Sequence, residues 1–224
     1  MSYCTKCGSE IQRNARYCPK CGAPVKIETV SPQPTYTPTT TSSSLVDRMI
    51  RAARLDVSLY EEVERDERAT TQALIVVVLS SISSGIGTAL SKALTGHELG
   101  GIGIGLFGGL FSALIVWLVW SFITYFVGTK IFGGTASYGE LLRTIGFADA
   151  PGVLLVFSFI PILGGVISFA VWVWGLMAMV VAVQQALDFS TGKAVLTCIV
   201  GWIAALILLA IIGILLAIPL IFLG

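Results

Sequence analysis

Hydrophobic and polar positions divide the chain into a polar first third and an apolar remainder. From Thr71 onward, long stretches without charge alternate with short loops that contain glycine or charged side chains. Most of these stretches have about the 20 residues that a helix needs to cross roughly 30 Å of hydrocarbon. The pattern predicts an all-α membrane protein with a bundle of five transmembrane helices, whose spans are expected at about 71–91, 105–127, 150–163, 164–187 and 194–222.

The third stretch, 150–163, is the shortest and has a proline near each end. Two interpretations of it are open: a tilted span that continues the preceding helix, or one arm of a re-entrant hairpin. The positive charges favour a span, because five crossings place Lys130, Arg143 and Lys193 on the same side as the polar head. By the positive-inside rule that side is the cytoplasm. We therefore expect a multi-pass protein of the cell membrane, with a cytoplasmic N-terminus and an outer C-terminus.

A short helix is expected immediately before the third stretch. Ser137 and Glu140 have the spacing of a capping box, which predicts a helix start at this point. Leu141, Leu142 and Ile145 fall on one side of the helix, and a basic side chain falls on the other. This arrangement predicts a helix that lies at the membrane interface.

The polar first third holds most of the charge. Residues 1–70 contain ten of the 14 basic and nine of the 13 acidic side chains, so residues 71–224 contain four of each. A charged fraction of 12% and a mean hydropathy of +0.86 exclude an ordinary soluble domain. The net charge of +1 gives no overall field that would favour nucleic acid.

Composition divides this head into three parts. Residues 1–26 contain a cysteine cluster, and residues 27–44 are a Pro/Thr/Ser run without apolar periodicity, which predicts a flexible linker. Residues 45–70 are predicted to form amphipathic juxtamembrane helices. The first has an apolar face opposite a basic face, and it either lies on the lipid headgroups or packs on the membrane domain. A second helix is predicted to begin at Ser58 and to continue without a break into the membrane.

Two Cys-x-x-Cys pairs, Cys4 with Cys7 and Cys18 with Cys21, are separated by ten residues. In a reducing cytoplasm such pairs indicate a metal site and not disulfide bonds. Four thiolates around one Zn²⁺ form a closed structural site, so residues 1–26 are predicted to be a zinc ribbon whose fold depends on the metal. Rubredoxin-like iron binding and a thioredoxin-type redox pair are the alternatives.

Small residues recur at four-residue spacing in the second stretch: Gly101, Gly105, Gly109 and Ala113. Such a face allows a neighbouring helix to approach closely. The neighbour belongs either to the same chain or to a second copy, so a homo-oligomer through these glycines is one expectation.

Residue types that carry chemistry are sparse in the apolar part. With the boundaries above, no span centre carries a charge, Asp149 falls at a span entrance, and the single histidine, His97, falls in a loop. No nucleophile has a base nearby in a recognisable motif, so we expect a protein that is not an enzyme. The basic side chains of the ribbon lack interleaved aromatic residues, which favours a protein-facing surface over nucleic acid.

Three segments are similar to prokaryotic members of the Yip family: "YEEVERDERATTQALIVVVLSSISSGIG", "LLRTIGFADAPGVLLVFSFIPILGG" and "WVWGLMAMVVAVQQALDFSTGKAVLTCIVGW". The resemblance runs from about Leu59 to the C-terminus. It implies a five-span membrane protein with a cytoplasmic N-terminus, sometimes preceded by a zinc ribbon. Eukaryotic relatives are associated with vesicle traffic, Rab GTPases and membrane shaping. Of their Asp-Leu-Tyr-Gly-Pro motif only Asp66 corresponds here, whereas their Gly-aromatic pattern with a following proline matches at Gly146, Phe147 and Pro151.

Together these features predict a membrane scaffold or adaptor whose zinc ribbon docks an unidentified cytoplasmic protein. A transporter or channel for a weakly polar or lipidic solute is one alternative, and a zinc- or redox-responsive membrane regulator is another. A continuous polar cavity in mid-membrane would favour transport, and a dry bundle would favour a scaffold.

Overall fold

The computed structural model describes residues 2–3, 6–7, 9–11, 17–18, 20–22, 44–96 and 102–223. The chain divides into two units, Met1–Ser42 and Ser43–Gly224. The linker predicted at 27–44 lies outside the described residues except for Ser44, and His97 and Gly101 also lie outside them.

In the first unit, two short strands pair in antiparallel fashion. β1 (Ser2–Tyr3) lies beside β2 (Glu10–Ile11), with Ser2 opposite Ile11 and Tyr3 opposite Glu10. The first Cys-x-x-Cys pair falls between these strands in the sequence. The second pair follows β2 in the sequence.

The regular elements of the second unit are helices. In chain order they are α1 (Leu45–Ala53), α2 (Val57–Arg65), α3 (Ala69–Leu94), α4 (Ile102–Phe126) with a π-helical extension (Val127–Ile131), α5 (Tyr138–Ala148) with a 3₁₀-helical extension (Ala150–Phe159), α6 (Leu163–Ala186) and α7 (Thr191–Leu223). Five segments in the described part of the chain are long and apolar enough to cross a membrane: Ala69–Leu94, Gly105–Ile131, Tyr138–Phe159, Leu163–Ala186 and Thr191–Leu208. The prediction of a five-helix membrane bundle is confirmed.

The third membrane segment begins earlier than predicted. The capping box at Ser137 and Glu140 is present and starts α5, and the chain continues beyond Pro151 as the 3₁₀ helix to Phe159. Proline lacks the N–H that an α-helix would need at this point, and the 3₁₀ form rises about 2.0 Å per residue, which lengthens the segment. Residues 150–159 are therefore the second half of a segment that is long and apolar enough to cross the membrane, and α5, expected at the interface, is the buried first half of the same segment.

Two predictions about the juxtamembrane helices are wrong. Asp56, and not Ser58, is the N-cap of α2, because its carboxylate accepts the backbone N–H of Ser58 at 3.0 Å. The helix also does not continue into the membrane. It ends at Arg65, and Asp66 has an extended backbone and accepts the N–H of Arg68 at 3.0 Å before α3 begins. A side chain that bonds the local backbone in this way competes with a continuous helix.

Both juxtamembrane helices pack on the membrane bundle. Leu59, Tyr60 and Val63 of α2 are fully buried, and α2 contacts α5 and α6. In α1, Arg48 and Ala52 are buried, whereas Val46 and Ile50 of the expected apolar face are exposed. The interpretation that α1 packs on the membrane domain is confirmed, and Leu45 and Met49 of the expected apolar face contribute to the contact beside Ala52.

Close helix packing occurs at glycines other than those predicted. A Cβ added at Gly105 or Gly109 would meet nothing within 4 Å. A Cβ at Gly87 would instead collide with the backbone oxygen of Leu155, and one at Gly146 would lie 2.7 Å from Cβ of Ala73. These contacts hold α3 against the third span, where glycine permits the close approach.

Candidate metal centre and intramembrane cavity

The thiol sulphurs of Cys7, Cys18 and Cys21 all lie within 4.8 Å of one another. Cys7 Sγ and Cys18 Sγ are 3.6 Å apart, which is too far for a disulfide bond of about 2.05 Å. Four sulphurs placed tetrahedrally at the usual Zn–S distance of about 2.3 Å would be about 3.8 Å apart. The donor atoms and their spacing therefore suit a metal ion. Cys4, the fourth predicted ligand, lies outside the described residues.

The turn around the second Cys-x-x-Cys pair aims its thiols at one point. Gly22 donates its backbone N–H to the carbonyl of Cys18 at 2.9 Å and has a φ of +68°, a conformation that glycine adopts without strain. Cys18 is buried, with 2% of its surface exposed, and Cys7 and Cys21 are exposed.

Ser9 is a member of the metal centre that the spacing of cysteines did not reveal. Its hydroxyl lies 3.0 Å from Cys7 Sγ and 3.2 Å from Cys18 Sγ. Hydrogen bonds from this hydroxyl, followed by those from the N–H groups of Lys20 and Cys21, lower the pKa of the Cys18 thiol to about 6. The thiolate is the form that binds metal, so Ser9 favours the ligating state.

Arg48 joins three elements at the start of the membrane domain. Its guanidinium donates to Oε1 of Glu62 at 2.8 and 3.0 Å, to Oδ2 of Asp66 at 2.9 Å and to Oε1 of Gln72 at 2.8 Å. The side chain is only 6% exposed, whereas Glu62 and Asp66 are about one-third exposed. Arg48 therefore connects α1, the end of α2 and the first turn of α3.

Side chains of the membrane helices bind the C-terminal ends of α1 and α2. Nε of Arg143 donates to the carbonyl of Val63 at 2.9 Å, and its terminal nitrogen donates to the carbonyl of Glu64. The indole of Trp174 donates to the carbonyl of Ala53 at 2.7 Å. The last carbonyls of a helix lack hydrogen-bond partners within the helix. Arg143 and Trp174 supply these hydrogen bonds at the C-terminal ends of α2 and α1.

A cavity of about 740 Å³ lies between α4, α6, α7 and the third span. Its walls are mostly apolar, and four tryptophans line it: Trp117, Trp120, Trp172 and Trp202. Trp120 bridges α4 and α6, because its Nε1 lies 3.4 Å from the sulphur of Met179.

Among the described residues that line this cavity, one has an ionisable side chain, Asp149. It follows Tyr138 by 11 residues and precedes Phe159 by ten, so it lies at the centre of the third span and not at an entrance. The expectation that no span centre carries a charge is wrong for this span. The capping box at Ser137 was the signal that could have revealed it, because it fixes the true start of the segment.

Comparison with known proteins gives two matches, to a Yip1 domain at residues 57–220 and to a zinc-ribbon domain at residues 3–25. The first covers well over half of the chain. The chain belongs to the Yip1 domain family. No match was found among the curated proteins or among the solved structures.

The Yip1 domain match begins at Val57, the first residue of α2. α2 is therefore part of the domain, and α1 precedes it. Asp66, the only position that corresponds to the Asp-Leu-Tyr-Gly-Pro motif, forms an ion pair with Arg48 at 2.9 Å. In this Yip1 protein the aspartate thus ties α1 to the break between α2 and α3.

The Gly-aromatic pattern of the Yip1 domain lies where α5 crosses α3 and α4. Gly146 faces Ala73 of α3, and its Cβ position is 3.1 Å from Nε1 of Trp117. Phe147 is fully buried, and Pro151 stands at the start of the 3₁₀ helix. The pattern serves helix packing in this structure.

Proposed function

We propose that this Yip1 domain protein is a membrane adaptor. The five-span domain fixes the chain in the bilayer, and the ribbon binds a cytoplasmic protein. The observation that carries the proposal is a thiol cluster with metal-site geometry, in a matched zinc ribbon, on the same chain as a matched Yip1 domain. One structural Zn²⁺ held by Cys4, Cys7, Cys18 and Cys21 leaves no open position for a substrate, so the ribbon presents a surface and no catalytic role is assigned to it.

The partner is expected to have an acidic surface. Residues 1–26 carry five basic side chains and one acidic side chain. Tyr17 is 65% exposed, and Lys6 and Lys20 are exposed as well. Exposed tyrosine is enriched where proteins bind one another, and basic side chains around it select a partner of opposite charge.

The orientation follows from the charges at the ends of the spans. Lys130 lies at the end of the second segment, and Lys193 lies at the start of the fifth. Leu187 lies close to the Cβ positions of Gly128 and Gly134, which supports a common end of the bundle for these two loops. We place this end in the cytoplasm with the ribbon, and we propose a role in organising the cell membrane or in a process that resembles trafficking.

Comparative affinity purification tests the adaptor function. The intact protein should enrich a cytoplasmic protein that is lost without residues 1–26 and in the Cys18→Ser variant, whose metal content should also fall. Tyr17→Ala should keep its zinc and lose the partner, because it alters the surface and not the site. Cys198→Ser, a cysteine change in α7, is the matched control and should behave as the unchanged protein does. Equal enrichment by all forms would contradict the proposal.

The cavity supports a second function, the binding of a lipidic solute. Among the described residues its lining is mostly apolar and contains a single carboxylate. Such a cavity matches neither the continuous polar path of a channel nor the dry bundle expected of a scaffold. An apolar cavity of this size with few polar groups is typical of a small-molecule site.

A further inference from the structure

The cavity around Asp149 combines a carboxyl group, tryptophan rings and a position in the middle of the bundle. We propose that it binds a membrane-dissolved amphiphile that carries one primary amino group. The amine would pair with Asp149, and the hydrocarbon part would occupy the apolar remainder of the cavity.

The rim shows where the ligand enters. Val116, Trp172, Trp202 and Leu206 line the cavity and are also exposed at the surface of the bundle. They belong to the second, fourth and fifth membrane segments. At this depth the bundle is surrounded by lipid, so the cavity opens sideways to hydrocarbon and is filled by a molecule that dissolves in the bilayer.

The charge of the site selects the amine. No lysine, arginine or histidine is among the described residues that line the cavity. The Ser80 hydroxyl is hydrogen-bonded to Asp149, and Ser168 adds a hydroxyl to the cavity lining. A carboxylate without a cation is costly in an apolar medium, and an ionisable residue inside a membrane indicates a functional site. A primary amine supplies the missing cation and donates charge-assisted hydrogen bonds.

The tryptophans favour the same ligand independently. Trp117 is held by its hydrogen bond to the carbonyl of Leu142 at 3.0 Å. The rings of Trp120 and Trp202 pack edge to face, with centroids 6.4 Å apart and an interplanar angle of 86°. Since the faces of indole rings attract cations, fixed rings in the same cavity as a carboxylate favour a ligand with a positively charged head.

Two glycines line the cavity, Gly152 and Gly175, and they differ in the space around them. Gly152 lies where a Cβ would collide with Oγ of Ser80 and would lie 3.4 Å from Oδ1 of Asp149. Gly175 lines the cavity on α6, and a Cβ there would meet nothing within 4 Å. A large side chain at Gly175 should therefore fill the cavity without displacing a neighbour.

Tryptophan fluorescence tests the proposal, since four of the five tryptophans line the cavity. The full-length protein with its metal is placed in phosphatidylcholine nanodiscs and titrated with a long-chain primary amine whose chain is brominated. The matched brominated alcohol and trimethylammonium compound are titrated in parallel. The amine should quench the fluorescence saturably, with an apparent affinity at least about tenfold higher than that of either analogue.

Four variants distinguish the expected cause from the alternatives. Asp149→Asn should lower the affinity for the amine to that for the alcohol, and Gly175→Leu should abolish saturable quenching by every compound. Asp188→Asn and Gly165→Leu are the matched controls, because Asp188 lies in the turn after α6 and a Cβ at Gly165 meets nothing. Both should bind as the unchanged protein does.

Three results would overturn the proposal. The first is an unchanged amine affinity in Asp149→Asn. The second is quenching that rises without saturation, which indicates partition into lipid. The third is a dimer that cross-links through the rim and dissociates in Gly175→Leu, which would make a second copy of the chain the occupant. Thermal unfolding of each variant shows whether a lost signal reflects a lost fold.

Discussion

Two buried arginines connect the juxtamembrane helices to the membrane domain. Arg143 donates to carbonyls at the end of α2, and Arg48 binds Glu62 of α2, Asp66 in the break after it and Gln72 of α3. Arginine suits both places because its planar group offers five donors in a fixed arrangement. The sequence pattern placed Arg48 on a polar face, but it did not reveal that this face is turned toward Glu62 and Asp66.

Replacement of Arg48 by methionine should destabilise the protein. The variant retains most of the side-chain volume but removes the cation that the carboxylates of Glu62 and Asp66 share. Asp66 then loses this arginine, and Glu62 keeps its ion pair with Arg51 at 2.7 Å. Because these carboxylates keep access to water, the loss should be about 2 kcal/mol, below the value for a fully buried pair. Thermal unfolding in detergent measures it.

Arg54→Met is the matched control, because Arg54 is exposed at the end of the same helix. It should change stability by less than about 0.5 kcal/mol. Equal effects of the two substitutions would show that the Arg48 network contributes nothing to stability.

The candidate site could be predicted only in part from single residues. The cysteines were recognisable because two Cys-x-x-Cys pairs at close spacing have one common use. Ser9 and Asp149 could not be recognised as site residues from the sequence, since neither belongs to a local motif. Ser9 reaches the thiols through the pairing of β1 and β2, and the depth of Asp149 depends on where its helix begins.

At the scale of elements, helix packing depends on glycines in α3 and the third span. Gly87→Ala should bring its methyl group into the backbone oxygen of Leu155, which cannot move aside as a flexible side chain would. We expect a loss of about 1–3 kcal/mol in the free energy of unfolding. Thermal unfolding should show this as a clear fall in melting temperature.

Gly165→Ala provides the comparison, because its added methyl group meets nothing within 4 Å. This variant should be neutral or slightly more stable, since alanine is the better helix former. A similar fall in the melting temperature of both variants would refute the contact between α3 and the 3₁₀ helix.

Homo-oligomer formation through Gly101, Gly105 and Gly109 stays a prediction.

Hydrophobic periodicity gave the number of membrane elements but not their ends. Five long apolar segments were visible because a membrane span requires length and the absence of charge. The start of the third segment was hidden by Arg143 and Glu140, which read as surface residues. The break at Asp66 was hidden for a different reason: the helical pattern continues through it, and only the contact with Arg48 favours the extended backbone.

For the whole molecule, the orientation in the membrane is the first prediction. With the ribbon in the cytoplasm, five crossings place the C-terminal end outside. A reporter that is active only in the cytoplasm should therefore be inactive at the C-terminus and active at the N-terminus. Cytoplasmic activity at both ends would contradict the assigned crossings.

The adaptor account is tested most directly by the effect of metal removal on the membrane domain. The Pro/Thr/Ser composition of residues 27–44 buries little, so the ribbon and the membrane domain should be energetically independent. Thermal unfolding of the membrane domain in the purified protein, measured with and without a chelator, should then give nearly the same melting temperature, as it should in a control that lacks residues 1–44. If chelation lowers the melting temperature of the intact protein and leaves the truncated one unchanged, the ribbon regulates the membrane domain, and the account of an independent docking module is contradicted.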